Sequence, residues 1–123
     1  MTLNIVHLED EKDLAEGLAF IIQEEAPGVT LYQFASSDDV VAHIDQHWQT
    51  TDLYILDVRV PGQMNGLGVA EYIRARGSQA VIVVTSAYDP PKQEIINALQ
   101  IHYFRKPWDL PDNVIEMLNL VDQ

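Results

Sequence analysis

The chain of 123 residues is 47% hydrophobic, enough for one core of ordinary size and too short for two domains. It has no cysteine, which excludes a disulfide framework, a thiolate metal site and a thiol nucleophile. Nineteen acidic against seven basic residues give a net charge of -12, which repels nucleic acid and anionic lipid, so neither direct nucleic-acid binding nor a membrane partner is expected.

Met1 to Asp10 reaches acidic side chains too soon for a signal peptide, and no later apolar run is long enough to span a bilayer, so a cytoplasmic location is expected. Leu3 to Leu8 reads as a strand that stops at Glu9, Asp10 and Glu11; Leu14, Leu18, Ile21 and Ile22 then follow helical spacing until Pro27-Gly28. Thr30 to Phe34 reads as a second strand. Ser36, Ser37, Asp38 and Asp39 supply an N-cap and first-turn acids for a helix carrying Val40, Val41, Ile44 and Trp48.

Leu53 to Asp57 is a third strand, Pro61 to Gly66 a loop, and Val69, Ala70 and Ile73 mark a helix stopping at Gly77. Ala80 to Thr85 is an aliphatic fourth strand. Pro90-Pro91 opens a helix with Ile95, Ile96 and Leu99; His102 to Arg105 is a short fifth strand; and Leu110, Val114, Met117, Leu118 and Val121 mark a last helix. Strands alternating with helices, most of them apolar on both sides, predict an α/β fold with a parallel sheet covered on both faces, as one domain over residues 1–123. The histidines, His7, His43, His47 and His102, show no metal-like clustering and read as structural, and Trp48 and Trp108 as packing residues.

In an open parallel sheet ligands bind outside the carboxyl ends of the strands. Here those ends carry Glu9 and Asp10, Asp57, Thr85-Ser86, and Lys106-Pro107. A carboxylate at the end of a core strand is costly unless something uses it. Three carboxylates drawn together repel unless a cation joins them, and an all-oxygen set suits Mg²⁺. A carboxylate beside Mg²⁺ can attack phosphorus and give an aspartyl phosphate, with a lysine offsetting charge on the transferring oxygens.

These residues resemble the receiver domains of two-component response regulators over essentially the whole chain. The likeness rests on Leu8-Glu9-Asp10-Glu11, on Leu56-Asp57 followed by Pro61-Gly62 and Gly66, on Ser86-Ala87-Tyr88, and on Tyr103-Phe104-Arg105-Lys106-Pro107. It implies a flavodoxin-like sheet of five parallel strands in the order 2-1-3-4-5. It makes Asp57 the phospho-acceptor, Asp10 a direct Mg²⁺ ligand, Glu9 a ligand through water, and the Arg59 backbone carbonyl a further ligand. Ser86 would bond a phosphoryl oxygen, with Thr85 as the alternative hydroxyl; Lys106, before a cis peptide, would pair with the phosphate, and Tyr103 would shift on activation. The partners implied are a histidine kinase or phosphotransfer protein and a downstream output reached through the face of the fourth helix, fifth strand and fifth helix, where a homodimer is also a family property. Such a chain is a switch, not a turnover enzyme. Arg59, two residues after Asp57, cannot protonate a leaving group as a phosphatase of the haloacid dehalogenase type requires.

Two departures stand out. The loop from Pro61 to Gly66 is one residue longer than the common one, and Leu99-Gln100-Ile101 stands where the family usually shows a Gly-Ala pair.

Overall fold

The computed structural model describes residues 3–121. Strands and helices alternate: β1 (Asn4–Leu8), α1 (Lys12–Glu25), β2 (Thr30–Phe34), α2 (Ser37–His47), β3 (Leu53–Asp57), α3 (Gly66–Ala75), β4 (Val81–Ser86), α4 (Gln93–Leu99), β5 (His102–Arg105) and α5 (Asp112–Val121). All strand pairs are parallel, in the order β2-β1-β3-β4-β5, as the sequence led us to expect. Side-chain oxygens set two helix starts: Ser36 accepts from the Asp39 N–H and Asn65 from the Gly68 N–H.

The period-two pleat divides the core in two. Val6, Leu8, Tyr54, Leu56, Ile82 and Val84 pack toward α2 and α3, against Val40, Ile44, Val69 and Ile73. Ile5, Leu53, Ile55 and Val83 pack toward α1 and α5, against Leu18, Ile22, Val114 and Met117. β3, at the sheet's centre, is buried at every position, whereas the edge strand β2 is half exposed. Trp48 and Trp108 pack against the first and second clusters respectively.

The structure corrects three local readings. β4 runs from Val81 to Ser86 and not from Ala80 to Thr85, because the Ala80 N–H is taken by Ser78 Oγ and its carbonyl by Arg74. α4 begins at Gln93, not at Pro90-Pro91: a residue preceding proline is disfavoured in the α region, and Lys92 stays extended at ψ 144°. Leu110 precedes Pro111 and lies outside α5, exposed, with its side chain near Gly17. As expected, the histidines form no metal-like group among the described residues; His43 and His47, four apart on α2, stack with ring centroids 4.6 Å apart, and Tyr32 and Phe34 lie against His43.

Candidate functional site

Parallel register aligns the ends of the central strands, Leu8 with Leu56 and Asp57 with Thr85. Alternation then puts Glu9, Asp57, Thr85 and Lys106 on the α1/α5 side, continuing the rows of Ile5, Ile55, Val83 and Phe104. Ser86 falls on the other side with Val84 and Tyr103.

Glu9 and Asp57 are buried and Asp10 is exposed; one carboxylate oxygen from each lies within 4.8 Å of the others. Among the described residues this is the one group of three or more His, Cys, Asp or Glu placed to share an ion. Lys106 Nζ reaches Glu9 Oε1 at 2.5 Å and Asp57 Oδ2 at 3.1 Å, across a sequence separation of 97 in the first case. The Lys106-Pro107 peptide is cis, as expected. Burial alone would lower the Lys106 ammonium, but the bonds to Glu9 and Asp57 outweigh it and hold its pKa above the usual lysine value. Burial pushes the Glu9 carboxyl up, the bond from Lys106 pulls it back, and the charge of Asp57 adds to the rise, leaving it above the ordinary carboxylate range. The donor set fits Mg²⁺: all ligands are oxygens, and three acids outnumber the single ammonium between them.

The hydroxyls differ in setting. Ser86 Oγ accepts the Tyr88 N–H at 3.0 Å, and the Tyr103 O–H donates to the carbonyls of Ser86 and Tyr88 at 3.1 and 3.2 Å. Thr85 is buried in register with Asp57, and its backbone carbonyl accepts the Val58 N–H at 3.0 Å. The candidate residues are thus brought to one end of the sheet, with Ser86 and Tyr103 in one bonded network. A cavity of about 470 Å³ opens there, lined by Asp10, Glu11, Asp57, Arg59, Tyr88 and Lys106 among others. A larger one, about 680 Å³, lies at the opposite end of β4 beside Trp48, Asp52 and Ser78, away from Glu9, Asp10 and Asp57.

Two features near the site were not legible beforehand. Arg59 stacks on Tyr88, its guanidinium carbon 3.7 Å from the ring centroid. His7 lies under the site with its Nδ1 3.1 Å from Gln33 Nε2 and its ring 6.2 Å from that of Trp108. Burial and then the nearby Lys106 charge lower the His7 pKa to about 3. Only its place inside an apolar strand hinted at this.

A five-stranded parallel sheet in this order, with acids gathered at the carboxyl ends of β1 and β3, defines a flavodoxin-like α/β domain whose site lies where strand order reverses. The response regulator receiver domain family matches residues 5–119, and the chain belongs to that family. The sensory transduction protein RegX3 of Mycobacterium bovis is 34% identical over 83 residues, covering 68% of this chain and 34% of that protein. The cyclic di-GMP phosphodiesterase response regulator RpfG of Xanthomonas campestris pv. campestris is 31% identical over 109 residues, 85% of this chain and 28% of that protein. The chain therefore spans about a third of the length of these curated relatives. A CheY-like receiver domain from Methanospirillum hungatei shares the fold at a TM-score of 0.85 and 16% identity, over 99% of this chain and 95% of that one. CheY from Borrelia burgdorferi, solved in a CheX-CheY-BeF3-Mg complex, does so at 0.85 and 19%, over 98% and 90%. Receiver domains are signalling switches, and no described helix is long and apolar enough to cross a membrane.

Proposed function

We propose that this receiver accepts a phosphoryl group on Asp57 from a histidine kinase or phosphotransfer protein in the cytoplasm, with Mg²⁺ held by Asp10, Asp57, the Arg59 backbone carbonyl and, through water, Glu9. The observation that carries this reading is the convergence of three carboxylates within 4.8 Å, with Lys106 3.1 Å from Asp57. When bound, Mg²⁺ neutralises charge on the oxygens of the transferring phosphoryl group.

Asp57 is the nucleophile: its Oδ forms a bond to phosphorus as the bond from phosphorus to the donor imidazole nitrogen breaks, the electron pair leaving with nitrogen. Lys106, held charged, pairs with the new phosphoryl group. The hydroxyl is that of Ser86 or Thr85: the network with Tyr103 supports Ser86, whereas Thr85 lies on the Asp57 side of the sheet in register with it, and Thr85→Ala against Ser86→Ala decides between them. A phosphoryl group adds about -1.5 to -2 charges and three acceptor oxygens. Drawing the hydroxyl at the end of β4 toward them disturbs the carbonyls that hold the Tyr103 hydroxyl, so Tyr103 carries the change to the α4-β5-α5 face, where an output partner or a second copy of this chain reads it.

The test is intact mass after incubation with Mg²⁺ and a small acyl phosphate. We expect a phosphoryl adduct on wild type, none on Asp57→Asn, and none in EDTA. Absence of an adduct together with failure to bind Mg²⁺ and beryllofluoride would overturn the reading in favour of a phosphorylation-independent interaction module.

A further inference from the structure

The loop between β3 and α3, one residue longer than the family's common one, is docked on the start of α2. Ser37, the first residue of α2, is fully buried there. Its N–H, one of the donors that a helix start leaves without an intrahelical partner, donates to the Pro61 carbonyl at 2.9 Å, and its Oγ accepts the Met64 N–H at 3.1 Å. Beside it the Asp38 carboxylate accepts the Gln63 N–H at 3.3 Å. Between these bonds Gly62 takes φ 116°, and a Cβ there would overlap Ser37 Oγ and lie 3.1 Å from the Ser37 nitrogen. Glycine is what lets the loop come so close.

The start of the same loop borders Asp10. Val58, Arg59, Val60, Pro61 and Asn65 line a cavity of about 530 Å³ together with it. Val58 is fixed on the sheet side, its N–H donating to the Thr85 carbonyl at 3.0 Å and its carbonyl accepting the Gly66 N–H at 2.9 Å. Arg59 and Val60 therefore span two fixed points, Val58 on the sheet and Pro61 on α2. Loss of the second point leaves the Arg59 carbonyl held from the sheet side only.

We propose that Ser37 is a positioning residue for the cation site: it pins Pro61 and Met64 to α2 and so holds the Arg59 carbonyl in place before the cation arrives. Ser37 touches neither cation nor phosphoryl group and acts only through the loop. A carbonyl fixed in advance costs little to order on binding, whereas a loose one is ordered at the expense of affinity. The longer loop makes the anchor matter, because each added residue gives more freedom to the segment that bears the ligand. Asp38 is a second, weaker peg on the same loop. The inference rests on the reading that Mg²⁺ takes the Arg59 carbonyl.

The experiment titrates the full chain with MgCl₂ at constant ionic strength, without a phosphoryl donor, and follows the backbone amide shifts. Ser37→Ala should raise the Mg²⁺ dissociation constant about tenfold, the low end for outer partners of a metal ligand. Asp38→Ala should raise it about two- to threefold more than Asp38→Asn does, since both lose the charge and only asparagine keeps an oxygen for the Gln63 N–H. With a small acyl phosphate, Ser37→Ala should need more Mg²⁺ for half the maximal rate of adduct formation and reach the wild-type rate at saturation. Urea unfolding without Mg²⁺ measures stability separately. A Ser37→Ala protein that is less stable but binds Mg²⁺ as wild type does, or one whose rate stays low at saturation, would overturn the positioning role and leave the acceptor reading standing. A wild type whose amides ignore Mg²⁺ sinks the metal reading and this inference together. Should Ser37→Ala not fold, the Asp38 variants decide, and equal dissociation constants for the two overturn the anchor.

Discussion

Gly66 approaches Asp57 so closely that a Cβ at position 66 would lie 2.2 Å from the Asp57 carbonyl oxygen and 3.0 Å from Val58 Cα. The Gly66 N–H also donates to the Val58 carbonyl at 2.9 Å, so α3 starts directly on the end of the acceptor strand. The obstacles are backbone atoms and cannot swing aside. Gly66→Ala should therefore lose about 2–3 kcal/mol in denaturant unfolding and impair adduct formation on Asp57. Gly28→Ala is the control, since a Cβ there meets nothing within 4 Å. Equal stability of the two variants would refute the close contact.

The acidic trio exists only in the folded chain, so a cation bound there stabilises the fold by mass action. At ten times its dissociation constant Mg²⁺ should add about 1.4 kcal/mol. The readout is the rise of the unfolding temperature with MgCl₂ over NaCl of equal ionic strength, reversed by EDTA. Asp10 is exposed and makes no ion pair among the described residues, so Asp10→Asn should abolish most of that rise while leaving the fold intact. A wild type indifferent to Mg²⁺ would count against the metal site.

His7 should make the protein acid-sensitive. The Gln33 amide NH₂ donates to the Ala15 carbonyl and points at His7 Nδ1, which makes Nδ1 the acceptor and leaves the proton on Nε2. Burial, then Lys106, holds its pKa at about 3 against 6.5 for the free side chain. Between those values the unfolded chain binds a proton that the folded chain refuses, so stability falls as pH drops from 6.5 toward 3. From pH 7.5 to pH 5 the loss due to this residue is about 2 kcal/mol. Urea unfolding of wild type and His7→Phe across that range isolates it, because other carboxylates cancel in the difference. A constant difference would show that His7 is not buried neutral.

Arg74 donates to four carbonyls: Nε to Leu99 at 2.8 Å, Nη1 to Ser78 at 3.1 Å and Ala80 at 2.8 Å, and Nη2 to Gln100 at 3.1 Å. It ties the end of α3 and the start of β4 to the end of α4. Arg74→Met keeps the apolar stem and removes the donors, and should cost about 2–4 kcal/mol through unsatisfied carbonyls. Amide exchange should quicken from Asn97 to Ile101 more than at Gln93 to Ile95. Uniform quickening along α4 would mean that Arg74 supports the whole helix and not one end.

That contact marks the boundary of what a one-dimensional reading reaches. Strands such as Leu53 to Asp57 were legible because an aliphatic run ending in an acid has few other solutions, and the acids, the hydroxyls and Lys106 were legible because parallel strands put their carboxyl ends together. The strand order came from resemblance, since alternation alone leaves several orders open. Arg74, Arg59 and His7 were not legible as a clamp, a stack and a buried base, because each depends on partners 25 to 29 residues away whose approach is set by packing. The start of β4 was misread for the same reason: Ala80 is a good strand neighbour by composition, but Arg74 and Ser78 had already taken its polar groups.

Gln100 is where a departure in sequence becomes a cost in structure. It closes α4 in the left-handed region at φ 53° and ψ 53°, its N–H donating to the Ile96 carbonyl. A side chain in that region crowds its own carbonyl, and glycine removes the crowding. Gln100 is tolerated because its carbonyl also receives the Arg74 guanidinium, which holds the turn from outside the helix. Gln100→Gly should then raise stability by about 0.5–1 kcal/mol, net of the freedom glycine gains in the unfolded chain. The same change in an Arg74→Met background should be worth less, because the turn it relieves is no longer clamped into shape. Denaturant midpoints of the two single variants and the double one close this cycle, and a Gln100→Gly protein weaker than wild type would show that the left-handed turn is not strained.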